Sequence, residues 1–277
     1  MVLFGISGVS TRMKDANLTY QQIADEMQSI GLTCFEYPFT YGTNITEDKC
    51  IEIGKIFNSC GISLSVHAPY YINLASPNEE QVQKSFVYIY ESMRKAKLMG
   101  ADRVVVHPGS LTKQDREVAF QNTLKNLETF VNQIEGDENV SGVFICPETM
   151  GKHGQIGTVD EVYTLCKLSD KIIPTLDFGH INAYGGGSIK SITDYYEILD
   201  KFTSIKNNIH IHFSRIEYGP KGELKHLTFD TDTQNFGPDQ TQFANALKKY
   251  NANIRVISES SGCQDREAKI MLDIFKK

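Results

Sequence analysis

Several short apolar segments of this sequence end at, or just before, a side chain that can bind a metal ion. Imidazole nitrogens and carboxylate oxygens are the groups that hold zinc or manganese in proteins. One such group taken alone is more often a hydrogen-bonded packing residue, but here the coincidence recurs along the chain. The candidate ligands at these segment ends are His67, His107, Glu148, Asp177, His180, His212 and Glu259. If the loop that contains His226 folds over the same rim, the sequence predicts a site for divalent cations.

The carboxylates among these candidates each have a competing interpretation. Asp177 is either the N-cap of a following helix or a ligand, and its spacing from His180 places two ligand groups within one helical turn. Glu148 and Glu259 terminate apolar runs, where an unpaired carboxylate is costly to bury. A bound cation beside both glutamates is the simplest explanation.

Three further residues lie close to these candidates in the sequence. Tyr70, shortly after the first histidine, is either a half-buried aromatic or a stacking platform for a sugar or a base. Lys152 lies in the Gly-rich segment TMGKHGQIG, where it is a candidate for substrate contact. His210 shares the side of its strand with His212 and is more simply a hydrogen-bond partner than a ligand.

The elements that must position these groups follow a repeating pattern. Apolar, β-branched runs recur roughly every 30 to 45 residues, and each is followed by a segment with helical spacing, as in repeated βα units. We predict strands at 3–6, 33–37, 63–67, 103–107, 142–148, 172–177, 208–213 and 254–259. We predict helices at 19–30, 47–59, 79–99, 114–134, 158–168, 190–204, 240–250 and 264–276.

The eight predicted strands are too apolar to show a regular alternation of apolar and polar residues, and this favours a closed parallel barrel. We therefore predict a single (β/α)8 TIM barrel over residues 1–277, with the reactive groups at the C-terminal ends of its strands. The clearest helix, 79–99, is closed by Gly100 in a C-cap position. The longest loop, 214–239, is punctuated by Gly and Pro as functional loops are.

Composition and charge restrict the class of protein. The 277 residues carry 28 Lys and Arg against 34 Asp and Glu, a formal charge of −6, which argues against holding nucleic acid by bulk electrostatics. A polyanion would have to be bound locally, for example through metal. The chain has no apolar run of about 18 residues, and its N-terminus turns polar too early for a signal peptide. We expect a cytoplasmic protein without a membrane partner, and the sequence indicates no obligate protein partner.

Five segments of the sequence resemble, in order and spacing, the endonuclease IV family, also called AP endonuclease family 2. They are HAPYYINLASP, VVVHPGS, PETMGKHGQIG, TLDFGHINAYG and VISES. That family is similar in fold to the xylose isomerases and uses a trinuclear zinc site to cut DNA on the 5′ side of an abasic sugar. The resemblance implies a first zinc on His67, His107 and Glu148, a second on Glu148, Asp177, His212 and Glu259, and a third on His180 and His226. It also implies that Tyr70 matches an aromatic residue of the family.

The third of these sites departs from the family pattern. Family members carry Asp two positions before the last histidine, where this sequence has Leu224. Either Glu223 or Asp230 can supply the missing carboxylate. Arg215 stands where related segments carry Asp. The expected cofactor is therefore two or three zinc ions, with manganese as an alternative metal.

Two enzymatic functions fit these residues. The resemblance implies a zinc-dependent phosphodiesterase of base excision repair that cleaves abasic DNA, in which Glu148 bridges two metals and a metal-activated water is the nucleophile. The alternative is a mononuclear sugar isomerase or epimerase, in which Glu148 and Glu259 exchange a proton with a ketose and Arg215 recognises its hydroxyls. Because the alternative needs neither His107 nor His226 as ligands, we favour the hydrolase. A metal-stabilised barrel that binds its ligand without turnover is a third possibility.

Overall fold

The computed structural model describes residues 1–40, 42–231 and 236–277, and within these ranges the chain forms twelve strands and ten helices. The strands are Val2–Ser7 (β1), Cys34–Pro38 (β2), Ser63–His67 (β3), Arg103–Val106 (β4), Gly109–Ser110 (β5), Phe144–Pro147 (β6), Gln155–Ile156 (β7), Thr175–Asp177 (β8), Asn208–Phe213 (β9), Arg215–Gly219 (β10), Gly222–Leu227 (β11) and Asn253–Ser258 (β12). The helices are Thr11–Asp15 (α1), Tyr20–Ser29 (α2), Glu47–Ser59 (α3), Glu79–Met99 (α4), Arg116–Gln133 (α5), Val159–Leu165 (α6), Phe178–Tyr184 (α7), Ile192–Thr203 (α8), Gln240–Leu247 (α9) and Gln264–Lys276 (α10).

Eight of the strands form one parallel sheet that closes on itself. Their order is β6-β4-β3-β2-β1-β12-β9-β8, and every neighbouring pair is parallel. The two outer strands are joined by the parallel bridges Ile145–Ile172 and Glu148–Thr175, so the ring is completed. The predicted (β/α)8 barrel is confirmed. Within the described residues, no helix has the length and apolar character that crossing a membrane requires.

Successive side chains of each strand point alternately to two different apolar regions. In β4, Val104 and Val106 belong to the large apolar core between the strands and the helices. Val105, between them, instead packs with Cys146 and Ile173 in a separate small cluster. Because successive side chains of a strand point to opposite faces, this second set fills the inside of the barrel. The helices therefore bury the outer, apolar face of each strand. The polar groups lie at the ends of the strands, on the face that points into the barrel.

Several strand boundaries differ from the predicted ones by a residue or more. His107, Glu148 and Glu259 each lie one residue beyond the end of a strand rather than at its last position. Strand β8 begins at Thr175 and not at residue 172, because Pro174 has no N–H group to donate to the ladder. These shifts leave all three side chains on the same rim of the barrel.

The predicted 214–239 loop is only partly a loop. Arg215–Gly219 and Gly222–Leu227 pair as an antiparallel hairpin, closed by a short turn between two glycines. Residues 232–235 of that loop lie outside the described residues. Two short helices, α1 and α7, were also not predicted. The helix at 79–99 is confirmed, including Gly100 in the left-handed conformation at its end (φ 71°).

Candidate metal centre

Glu148 lies between histidines from three different strands at the C-terminal rim of the barrel. Its Oε2 atom is 3.3 Å from His67 Nε2 and 3.1 Å from His107 Nε2. Its Oε1 atom is 3.0 Å from His212 Nδ1. The ligand atoms of His67, His107 and Glu148 all lie within 4.8 Å of one another, which is close enough for a single cation to contact all three.

A second cluster combines Glu148 with Asp177, His212 and Glu259, again within 4.8 Å. Asp177 fills the first of the two roles considered for it, and its second oxygen is placed where the other role requires it. Its Oδ1 atom accepts a hydrogen bond from the backbone N–H of His180 (2.8 Å) and caps α7. Its Oδ2 atom is buried and accepts no hydrogen bond from the part of the chain that the structure describes. An unsatisfied buried carboxylate oxygen beside other ligand atoms fits a cation.

A third cluster contains His180, His226 and a glutamate from the hairpin. Oε2 of Glu223 is 3.4 Å from His180 Nε2, and its Oε1 is 3.9 Å from His226 Nε2. Of the two carboxylates considered for this position, Glu223 is therefore the one that joins the histidines. Asp230 instead forms an ion pair with an arginine of α10, at 2.6 Å. Leu224, at the position of the family's Asp, is 60% exposed.

The outward nitrogens of three of these histidines are held by oxygen atoms. Nδ1 of His67 contacts the carbonyl of the next residue at 2.9 Å, and Nδ1 of His180 contacts the carbonyl of Thr149 at 3.0 Å. Nδ1 of His226 contacts the hydroxyl of Ser214 at 2.8 Å. Since a carbonyl only accepts, the first two rings must donate from Nδ1, so in their neutral form the Nε2 lone pair faces the cluster. This arrangement is typical of metal-binding histidines.

The pKa values of the clustered groups show how strongly their charges interact. Burial alone would raise the pKa of Glu148, but the neighbouring histidines, His212 first, hold it well below the usual range. Burial raises the pKa of Asp177, and the adjacent carboxylates raise it further. Burial alone would lower the pKa of both His67 and His180. Contact with Glu148 instead raises the pKa of His67 to about 9, and Asp177 together with Glu148 raises that of His180 to about 10. Protons on these rings therefore occupy the positions that cations would take.

An open pocket of about 270 Å³ lies over these clusters. Tyr70, 57% exposed, and Lys152 both line it, and their contact with a substrate stays a prediction. The ammonium group of Lys152 is 3.8 Å from Glu223 Oε1. Arg215 lies elsewhere: its guanidinium group donates to the side chain of Gln240 (2.8 Å), and the residue does not line the pocket.

One buried carboxylate of the centre was not predicted. Glu36, on β2, is completely buried, with its Oε2 atom 2.9 Å from His210 Nε2 and its Oε1 atom 3.0 Å from His212 Nε2. His210 thus acts as a hydrogen-bond partner, in agreement with the prediction. The signal for Glu36 was present in the sequence, because it is a lone carboxylate within an apolar strand, as Glu148 is at the end of another.

The hairpin reaches the third cluster by resting its backbone on the loop after β6. Glu223 donates its N–H to the carbonyl of Gly151 (2.9 Å), and His153 donates to the carbonyl of Lys221 (3.1 Å). Gly222 has a φ of +91°, and a Cβ atom there would lie 2.1 Å from the Gly151 carbonyl oxygen. Only glycine therefore permits this approach.

We expect the substitution Gly222→Ala to lower the free energy of unfolding by about 1–3 kcal/mol and to reduce by one the number of divalent metal ions that the protein can bind. The added methyl group must push the hairpin, with Glu223 and His226, away from the barrel. Gly136→Ala is the matched control, because Gly136 also has a positive φ (+76°) but a Cβ there has open space. Metal analysis and thermal unfolding of both variants test this. A Gly222→Ala protein that binds as many metal ions as the wild type would contradict it.

Several known proteins are similar to this chain in sequence or in fold. An uncharacterized protein of Methanocaldococcus jannaschii is 32% identical over 268 residues, which cover 94% of this chain and 92% of the relative. A protein of Acholeplasma laidlawii named probable endonuclease 4 is 27% identical over 77% of this chain and 76% of its own length. A D-psicose 3-epimerase from Clostridium cellulolyticum has the same fold, with a TM-score of 0.66 at 15% identity over 94% of this chain and 93% of the epimerase.

The family comparison covers nearly the whole barrel. The model described as xylose isomerase-like TIM barrel matches residues 24–274. Together with the relative named endonuclease 4, this match confirms the resemblance noted in the sequence. This chain belongs to the xylose isomerase-like TIM barrel family.

Proposed function

We propose that this protein is a metal-dependent phosphodiesterase that cleaves DNA on the 5′ side of abasic sites, with zinc as its metal. The observation that carries this proposal is the third cluster of His180, Glu223 and His226, beside two clusters that share Glu148. Neighbouring cation sites joined by a common carboxylate suit the hydrolysis of a phosphodiester, in which both the attacking and the leaving oxygen need stabilisation. The relative named endonuclease 4 supports the same reaction class.

In the proposed reaction, different residues of this chain would have different roles. The three clusters would hold the cations, and bound divalent ions supply positive charge to a phosphate group and lower the pKa of water. Tyr70, on the rim, offers an exposed ring on which a sugar or a neighbouring base can stack. Lys152 can donate to a phosphate oxygen.

The size and charge of the pocket support an abasic substrate. Its volume of about 270 Å³ offers room for a sugar phosphate directly over the clusters. The overall charge of −6 does not oppose this, because cations in the clusters would make the rim locally positive.

The second candidate function is the epimerisation or isomerisation of a ketose. The cluster of Glu148, Asp177, His212 and Glu259 favours it, since two glutamates beside one cation can exchange a proton with a substrate carbon. In that reaction His226 and Glu223 have no role. The similarity to the psicose epimerase concerns the fold, and fold alone does not decide the chemistry.

The decisive experiment measures metal content and both activities on the same protein. Metal-free protein is titrated with zinc, and the loaded form is given an oligonucleotide with one abasic site, an intact duplex of the same sequence, and a ketose. We expect two or three zinc ions per chain and cleavage of only the abasic duplex. One ion per chain together with epimerised ketose would replace this proposal with the second candidate.

Lys152 provides a test of substrate contact within the proposed function. We expect Lys152→Ala to raise KM for the abasic duplex about 10-fold, the effect of losing one charge-assisted hydrogen bond, with little change in kcat. Lys225→Ala is the control, because Lys225 lies on the hairpin, pairs with Glu217 at 3.0 Å and does not line the pocket. Equal kinetic parameters for both variants would remove Lys152 from the substrate site.

A further inference from the structure

Glu36 lies beneath the metal centre and contacts no solvent. Its Oε1 atom is 3.0 Å from His212 Nε2 and 3.4 Å from the hydroxyl of Ser7. Its Oε2 atom is 2.9 Å from His210 Nε2 and 3.0 Å from the hydroxyl of Ser65. Glu36, His210 and His212 are each 0% exposed. Every side of this carboxylate is therefore occupied by a polar group of the protein.

These contacts distinguish Glu36 from the glutamates of the three rim clusters. The carboxylate is already surrounded by two imidazoles and two hydroxyls, and neither Glu36 nor His210 lines the pocket. The other nitrogen of His212 faces the second cluster. Nδ1 of His212 is 3.0 Å from Glu148 Oε1 and 3.4 Å from Glu259 Oε2. His212 thus connects the rim to the buried carboxylate.

We propose that Glu36 is a positioning residue, which fixes the ring of His212 so that its Nδ1 lone pair faces the second cluster; this rests on the metal centre of the proposed function. His212 Nε2 is buried, has no other partner among the described residues, and lies 3.0 Å from a carboxylate oxygen. A negatively charged oxygen at this distance favours the tautomer with the proton on Nε2, because it would repel a lone pair there. A neutral imidazole has one lone-pair nitrogen, which in His212 must then be Nδ1. The negative charge also makes Nδ1 a stronger ligand.

The surroundings of Glu36 keep its carboxylate in one orientation. His210 and Ser65 hold Oε2, which leaves Oε1 directed at His212. An amide in this position has one oxygen and one NH2 group. If the NH2 group faces His212, the ring must accept at Nε2, its proton moves to Nδ1, and the cation loses this ligand. If the NH2 group faces His210 instead, the charge that strengthens His212 is still lost.

The test is the zinc affinity of Glu36→Gln. We expect the variant to fold and to bind one zinc equivalent roughly 10- to 100-fold more weakly than the wild type. Its cobalt-substituted form should show altered absorption bands, because the ligand field at the second cluster changes. Ser65→Ala removes one hydrogen-bond partner of the carboxylate and should weaken the binding of the same zinc ion, but by a smaller factor. This second variant keeps the test possible if Glu36→Gln does not fold.

Asp102→Asn is the matched control. Asp102 pairs with Arg103 at 3.0 Å and Arg255 at 2.7 Å and belongs to none of the clusters, so its loss tests stability alone. Unchanged zinc affinity in Glu36→Gln, or an equal loss in Asp102→Asn, would overturn the proposal. Because the readout is metal binding, a wild type that binds zinc but leaves abasic DNA intact would refute the phosphodiesterase and not the role of Glu36.

Discussion

Replacing Glu148 with glutamine is expected to reduce the cleavage of abasic DNA by on the order of 10³-fold. Glu148 belongs to two clusters at once, and its two oxygens face His67 and His107 on one side and His212 on the other. An amide keeps the shape of the side chain but lacks the charge and offers only one ligand oxygen. The variant should therefore bind less zinc as well as lose activity.

The control for this substitution is Glu161→Gln. Glu161 is also buried and forms a two-pronged ion pair with Arg116 at 2.8 Å, but it belongs to no cluster. We expect it to lower stability without lowering the zinc content. If Glu148→Gln keeps both its zinc and its activity, Glu148 is not a shared ligand, and the multinuclear site proposed here is wrong.

The metal-free protein is expected to become less stable as the pH rises. Bound zinc should instead stabilise the protein more as the pH rises. The pKa values of His67 and His180 are raised to about 9 and about 10. In the unfolded chain the pKa of histidine is about 6.5, so the two protonated rings contribute their full share of the free energy of unfolding below that pH. This contribution is lost as the pH passes through the two folded-state values. Zinc needs the same nitrogens without protons, so its affinity should increase over this interval.

Thermal unfolding with a chelator and with buffered zinc, at pH values from 6 to 10, tests this expectation. Zinc at about 1,000 times its dissociation constant should add about 4 kcal/mol to the free energy of unfolding. The chelated protein should also be inactive and regain activity when zinc is restored. A metal-free protein whose Tm does not fall between pH 7 and 10 would contradict the protonated state assigned to these rings.

The repeat of strands and helices was predictable because it depends on local patterns. Apolar runs mark strands that helices cover on one face, and the 3.6-residue stripe of 79–99 marks a helix that packs on them. The strand ends then place His67, His107 and His212 on one rim, since parallel strands all finish at the same end of a barrel. Boundaries were less exact, as at Pro174, where a missing donor shortened a strand.

The sequence by itself determined the barrel and the types of residue at its rim, because periodicity and strand direction are properties of neighbouring residues. It left open whether Glu223 or Asp230 completes the third cluster, and it did not indicate the hairpin that settles this. It also did not reveal that Glu36, a lone carboxylate in an apolar strand, meets His210 across 174 positions of the chain. Such contacts depend on the closure of the ring and on the docking of the hairpin, so only the tertiary structure decided them.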